Sequence, residues 1–290
     1  MNWTDVSVVI PVKNESRALR EIVPELIERL PGAEIIISDD GSVDDLDWLG
    51  EWSQVTRVQR PYSGGNGAAI KTGARAATRP IVAFMDGDGQ HDPADLVRIL
   101  EERERKGFDM VVGARNADAH ANAGRRWANA LYSRIASWVV GHRVQDLTSG
   151  LRAMRLELFR EFQYLLPNGF SYPTTITLCF FRSGLTVGYL PIDTRPRIGR
   201  SHIRPLRDGM RFLIIIFRIS ALYSPLKFYL PISALSFLGG LGIYLHSFLT
   251  TAHITNTSLL LFLVSVLTFL TGLISEQVTS LLFRRSNRDG

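Results

Sequence analysis

Asp86-Gly87-Asp88-Gly89-Gln90 is the stretch of this 290-residue chain whose side-chain types and spacing speak most directly of chemistry. Asp86 and Asp88 stand two residues apart, so in an extended segment they point the same way, and Gln90 follows with a neutral oxygen. Three oxygen donors on one side suit a hard divalent cation, Mg²⁺ or Mn²⁺. The bland alternative is an Asp-Gly surface turn. An EF-hand loop is excluded, since it would need Gly where His91 stands and Glu where Val97 stands.

Something must aim those acids. Ile81 to Met85, bounded by Pro80 and Gly87, reads as a buried strand that stops on them. Val6 to Ile10 is a β-branched run ended by Pro11, a first strand, followed by a helical pattern through Leu30. Glu34 to Ser38 is a second strand, and it too ends on acids, Asp39-Asp40-Gly41-Ser42. Strand, helix and strand at this spacing predict right-handed crossovers and a parallel sheet. Three strand ends then carry polar residues on the side where open parallel sheets bind ligands, which lifts Asp86 and Asp88 above an ordinary turn. Asp92 and Pro93 are placed as N-cap and first residue of a helix to about Lys106. Asp109 to Gly113 is a further strand with Arg115 at its end, and Arg125, Arg126 and Arg152 come later. Arginines beside a metal neutralise phosphates; solvated surface charge is the other reading. Ser63 to Gly73 is a glycine-rich turn entering a helix, whose amides could hold phosphate. It is neither a Walker A loop nor a dinucleotide fingerprint, with Ile70 at the third glycine position, and a plain tight turn is the simpler reading.

Net charge is +5, carried by 29 Arg and only 4 Lys, with a pI near 9.5. Nucleic acid, anionic lipid and nucleotides all offer the phosphate that Arg favours, so charge alone does not choose among them. Cys179, the single cysteine, lies in an apolar stretch and forms no intrachain disulfide, as expected in a reducing compartment. The N-terminus has neither the basic stretch nor the apolar core of a signal peptide, so the first ~200 residues are expected in the cytoplasm.

From Phe228 to Ser275 there is no Asp, Glu, Lys or Arg, and two long apolar runs flank an uncharged polar middle. Each is close to the ~20 residues a bilayer-spanning helix needs, which predicts a transmembrane hairpin. Arg204, Arg207, Arg211, Arg218 and Lys227 precede it and Arg284, Arg285 and Arg288 follow, placing both ends in the cytoplasm and the protein in the inner (cytoplasmic) membrane. The arginines at 204, 207, 211 and 218 form a helical stripe, as in an interfacial helix meeting an anionic membrane surface at about 1 kcal/mol per charge. The expected organisation is thus a catalytic domain over 1–203, an amphipathic segment over 204–226, and two spans with a tail over 227–290. Ser236, Gly239, Gly240 and Gly242 suit close helix contact, and a homo-oligomer is an expectation only.

Val9-Ile10-Pro11 with Asn14-Glu15, Asp39-Asp40-Gly41-Ser42, Asn66-Gly67, Asp86 to His91, Val112 to Arg115, and Ser149-Gly150-Leu151-Arg152, in this order and at these intervals, resemble the family 2 glycosyltransferases. The resemblance is to the dolichyl- and polyprenyl-phosphate sugar synthases, with a hairpin like that of the bacterial two-span members. It implies an α/β fold, a Rossmann-like GT-A domain that binds a nucleotide sugar. Pro11, Asn14, Glu15, one of Asp39 and Asp40, Lys71, Arg197 and Ser201 would then serve the donor. Asp86, Asp88 and Gln90 would hold the metal; Arg115, Arg126, Ser149 and Arg152 would meet the acceptor phosphate; Asp86, Asp88, Arg115 and Arg197 would be catalytic. The partners implied are a nucleotide sugar and a polyprenyl phosphate such as undecaprenyl phosphate, with inversion at the anomeric carbon.

Two departures bear on mechanism. His202 stands where many such loops carry Lys, and Phe170 to Thr177 offers no acid where sugar-to-hydroxyl enzymes place a general base. A phosphomonoester is already largely ionised at neutral pH, with a second pKa of about 6, so a phosphate acceptor needs positioning rather than a base. Arg126-Trp127 lacks the Gln of a Gln-x-x-Arg-Trp motif, which argues against a processive polysaccharide synthase. Three rivals stay open: transfer to a hydroxyl, a binding-only subunit of a glycan assembly complex, and, weakest, nucleic-acid binding, because the basic stripe abuts a span without stacking aromatics.

Overall fold

Seven consecutive buried residues, Val6–Val12, make β1, an inner strand of the first unit's sheet. The computed structural model describes residues 2–115, 133–138, 140–169, 172–193, 195, 224–251 and 253–284. Two compact units emerge, residues 1–137 with 142–203 and residues 138–141 with 204–290, and each is taken by itself.

In the first unit α1 (Ser16–Arg29) follows β1 and buries Ala18, Leu19, Ile22, Val23 and Leu26, the one-sided stripe of an amphipathic helix. Then come β2 (Glu34–Asp39), β3 (Val55–Gln59), α2 (Asn66–Ala76), β4 (Ile81–Phe84), α3 (Pro93–Lys106), β5 (Met110–Arg115), β6 (Arg152–Arg155), α4 (Leu156–Phe162), α5 (Tyr172–Arg182) and β7 (Val187–Ile192). The strands form one sheet in the order β3-β2-β1-β4-β6-β5-β7. Its core strands carry fully buried Val and Ile side chains, each worth about 1.5–3 kcal/mol.

The expectation of a parallel sheet is corrected at one strand. β6 runs antiparallel to both β4 and β5, pairing Phe84 and Val112 with Arg152, while the other pairs are parallel. The reversal brings the start of β6 to the edge where β4 and β5 end. β1 also runs past Pro11, to Val12. Val9 O accepts from Met85 N, so odd residues of β1 face β4, whose pairing has stopped at Phe84. The N–H that Pro11 lacks therefore costs no ladder bond.

α3 has the ends its sequence predicts: Asp92 accepts from Ala94 N at 2.8 Å, Pro93 opens the first turn, and Gly107 closes the last in the left-handed region at φ 69°.

The second unit contains α6 (Pro225–Thr251) and α7 (Asn256–Arg284), packed as a hairpin. Pro225–Thr250 and Asn256–Leu281 are long and apolar enough to cross a membrane. Polar groups turn inward and apolar ones outward: Ser233 and Ser265 are buried and each donates its hydroxyl to the other's carbonyl at 2.9 Å, while Leu235, Leu249 and Leu281 lie exposed. That inversion of the soluble pattern is what hydrocarbon requires. Gly240 faces Leu261 and Phe262 within the hairpin.

Candidate active site

The carboxyl end of β4 delivers the acids as a tight turn, not as an extended strand. Gln90 N donates to Asp88 Oδ1 at 3.1 Å, and Asp86 N donates to Nδ1 of His91 at 3.4 Å. His91 was only one letter of a motif in the sequence; here its buried imidazole pins the turn from beneath. The Asp86 carboxylate keeps a third of its side-chain surface open, and Asp88 is buried. Among the described residues no donor hydrogen-bonds to the Asp86 oxygens.

Two neighbours press on this turn so closely that only glycine fits. A Cβ on Gly87 would lie 2.6 Å from Val12, 2.9 Å from Glu15 Oε2 and 3.2 Å from Pro11 O. A Cβ on Gly150 would lie 2.3 Å from Asp86 Oδ2. Pro11 on β1 and Glu15 at the start of α1 are thereby brought to the acids, and so is the 146–150 turn. Arg195 reaches the same place: its N–H donates to Gln90 O at 2.9 Å and its Nη2 to Asp92 Oδ2 at 2.5 Å.

Asp146, which is not among the candidate residues named from the sequence, organises the other wall. Its Oδ1 accepts from Thr148 N at 2.9 Å and Ser149 N at 3.1 Å, an Asx cap that folds the turn. Its Oδ2 accepts from Arg115 Nε at 2.8 Å, Arg115 Nη2 donates to Oδ1 at 3.1 Å, and Nη2 also donates to the Thr148 hydroxyl. Burial pushes the Asp146 carboxyl up, but the Arg115 bonds and charge outweigh it and hold the group below the usual carboxylate range. Burial likewise lowers Arg115; Asp146, and beyond it Asp86 and Asp88, more than offset this and raise it. Arg115 therefore stands as a fixed cation whose field reaches both acids of the β4 turn.

The remaining candidate residues are placed as follows. Asp39 is fully buried, accepting from Ser42 N at 2.7 Å and from Arg57 Nη2 at 2.8 Å. Asp40 is 3 % exposed and accepts from Gly64 N, Gly65 N and the Ser63 hydroxyl, with Arg60 Nε at 3.1 Å. Both carboxylates are engaged within the chain. Lys71 donates to Leu166 O at 3.0 Å and Asn168 Oδ1 at 2.5 Å. The glycine-rich helix start is closed as a phosphate cradle too, because Gly67 N and Ala68 N donate to Gly169 O and Asn168 O. Asn14, at φ 57°, ties its loop to the next by accepting from Val43 N. Ser149 is buried and its hydroxyl accepts from Leu151 N at 3.3 Å. Arg152, expected at the acceptor phosphate, lies entirely inside the core. Arg126, Arg197, Ser201, His202 and the 204–223 stretch lie outside the described residues.

The start of α5 lies under the 146–150 turn, and its polar side chains are buried. Thr174 donates to Leu147 O at 3.2 Å and Thr177 to Pro173 O at 2.8 Å. Among the described residues of α5 there is no carboxylate.

No three His, Cys, Asp or Glu side chains converge among the described residues. The donor set is two carboxylates with the Gln90 amide two residues on. All are hard oxygen ligands, and so few of them fit Mg²⁺ or Mn²⁺ whose shell is completed by other oxygens rather than an all-protein cage.

A predominantly parallel α/β sheet with acids and an arginine at the carboxyl ends of its strands, followed by an apolar helical hairpin, defines a glycosyltransferase of the GT-A class. Residues 7–163 match the model of glycosyl transferase family 2, and residues 224–281 match the GtrB C-terminal hairpin. The chain belongs to glycosyl transferase family 2. It is 27 % identical to a dolichyl-phosphate hexose transferase of Haloferax volcanii, over 71 % of this chain and 90 % of that one. It is 28 % identical to an undecaprenyl-phosphate mannosyltransferase of Micrococcus luteus, over 64 % of this chain and 82 % of that one. Its fold is similar to that of glucosyl-3-phosphoglycerate synthase from Mycobacterium tuberculosis in complex with uridine diphosphate, at a TM-score of 0.56 and 21 % identity, covering 74 % of this chain and 78 % of that one.

Proposed function

We propose that this glycosyltransferase moves one sugar from a nucleotide diphosphate sugar to a polyprenyl phosphate at the cytoplasmic face of the membrane, with inversion at the anomeric carbon. One observation carries the reading: the open Asp86 carboxylate faces a wall whose only acid, among the described residues of the 146–150 turn and α5, is Asp146, locked to Arg115. A carboxylate so held is a poor proton acceptor. An ionised phosphate oxygen needs no base; a hydroxyl does. The names of the two lipid-phosphate relatives agree with a phosphate acceptor.

In this reading Pro11, Asn14 and Glu15 line the donor side, and Asp86, Asp88 and Gln90 hold Mg²⁺ or Mn²⁺. When bound, the cation supplies positive charge to the leaving diphosphate. Arg115 sits between the acids and the acceptor side, where it neutralises phosphate, with Arg126 and Ser149 completing the acceptor contacts. Arg197 and Ser201, outside the described residues, are assigned to the donor phosphates, and Arg195 stands beside the acids, bonded to Gln90 and Asp92. The hairpin spans the membrane, and the basic stripe before it rests on anionic headgroups.

The test uses purified protein in detergent with Mn²⁺ or Mg²⁺, undecaprenyl phosphate and a panel of nucleotide sugars, read by mass spectrometry of the lipid. A sugar-phosphate lipid formed from one donor is the expected outcome. Donor hydrolysed or bound with the lipid untouched throughout would overturn the acceptor and move a hydroxyl acceptor or a binding-only role ahead.

A further inference from the structure

Arg152 is a cation where a core residue ought to be. It is fully buried on β6, and among the described residues no carboxylate lies within ion-pair distance of it. Its Nη1 donates to Pro173 O at 3.0 Å and Thr177 Oγ1 at 3.1 Å, and its Nη2 to Ser149 O at 2.5 Å. Nε has no partner, and the Tyr172 ring lies 5.8 Å from the guanidinium carbon. Desolvating a cation without a counter-ion costs several kcal/mol, so packing alone gives no reason for Arg here.

Its bonds do give one. They join two elements, the start of α5 and the turn that carries Ser149 and Gly150. Tyr172 adds a second link, its hydroxyl donating to Gly150 O at 3.4 Å. Gly150 is the residue with no room for a Cβ against the Asp86 carboxylate, and Asp146 at the head of the same turn grips Arg115. One buried guanidinium therefore lies beneath both the residue that touches Asp86 and the residue that holds Arg115.

We infer that Arg152 is a positioning residue: from within the core it clamps the 146–150 turn to α5, and so sets where Asp86 and Arg115 stand relative to each other. The inference rests on the proposed reaction for its kinetic consequence, though not for its structural one. Without the clamp the turn is free to lift, carrying Ser149 and the grip on Arg115 with it, while the donor-side groups that follow β1 stay in place. The effect therefore falls on kcat and on the KM for lipid more than on the KM for donor.

The experiment compares the full chain with Arg152→Met and Arg152→Lys, measuring hydrogen exchange across 146–151, thermal midpoint and lipid glycosylation with the donor found active above. Arg152→Met is expected to speed exchange in the turn at least tenfold with β1 and β2 unchanged, and to lower kcat at least tenfold with the donor KM within threefold. Arg152→Lys, which keeps the charge and a donor, recovers part of both. If Arg152→Met does not fold, Thr177→Val removes one acceptor and keeps the charge, and shifts both quantities the same way by less. Unchanged exchange in the turn, or kcat within twofold of the parent, overturns the inference. A parent chain that transfers no sugar overturns the proposed function instead, and exchange alone then decides the clamp.

Discussion

β2 and β4 end alike in sequence, each an apolar run stopping on acids and a glycine, and the fold puts them to opposite uses. At the end of β2, Asp39 and Asp40 turn inward and collect backbone amides, a hydroxyl and two arginines. At the end of β4, Asp86 keeps an open carboxylate, and what crowds it is a glycine rather than a donor. A carboxylate whose lone pairs are filled by the protein is an anchor; one held in place by close packing but left with open oxygens can take a ligand. The arginines divide the same way. Arg115 is fixed by a carboxylate and projects its charge to the acids of the β4 turn, whereas Arg152 is turned inward to carbonyls.

Substitutions at the two strand ends should separate the roles. Asp88→Ala is expected to lower turnover by about 10²–10³-fold or more with little change in thermal midpoint, and substantial residual turnover would break the contrast at its functional side. Asp40→Ala should behave oppositely, losing about 3 kcal/mol of stability in denaturant melts as two amides and Arg60 are stranded. If instead it raised the donor KM with stability intact, Asp40 would belong to the site after all. Asp146→Asn sharpens the comparison through pH. The Asp146 carboxyl is held low in the folded chain, so its contribution is fully present above the ordinary carboxylate range and is lost as pH falls through its folded value. The stability difference between parent and Asp146→Asn should therefore shrink on acidification; a constant difference would mean that Arg115 gains nothing from the charge. Lys71→Met should have the smallest effect, about 1 kcal/mol of stability with the donor KM within twofold, since Lys71 serves the 166–168 loop.

Much of this molecule follows from local rules. Strands β1, β2, β4 and β5 appear where β-branched and apolar runs predict them, because burying such runs pays in any register. Asp92, Pro93 and Gly107 bound α3 through their own backbone chemistry, and an apolar stretch without charge gives two long apolar helices without help from the rest of the chain. β3 and β7 are less legible: they lie at the sheet edges, half-buried, and their apolar patterns are weak.

What the tertiary structure decided is direction and occupancy. Nothing local says that β6 runs against its neighbours; the path of the chain back to the sheet sets that, and it carries Gly150 to Asp86. Nor does a motif tell which acids remain open. Asp40 meets Gly64 and Gly65, Lys71 meets Asn168 and Arg152 meets Thr177 across 24 to 97 residues of sequence. A hydrogen bond depends on a few tenths of an ångström and on angle, and only the folded chain sets those between distant residues. Residue type and spacing determined where charge and apolar surface would gather; long-range packing determined which charges face a substrate and which hold the site together.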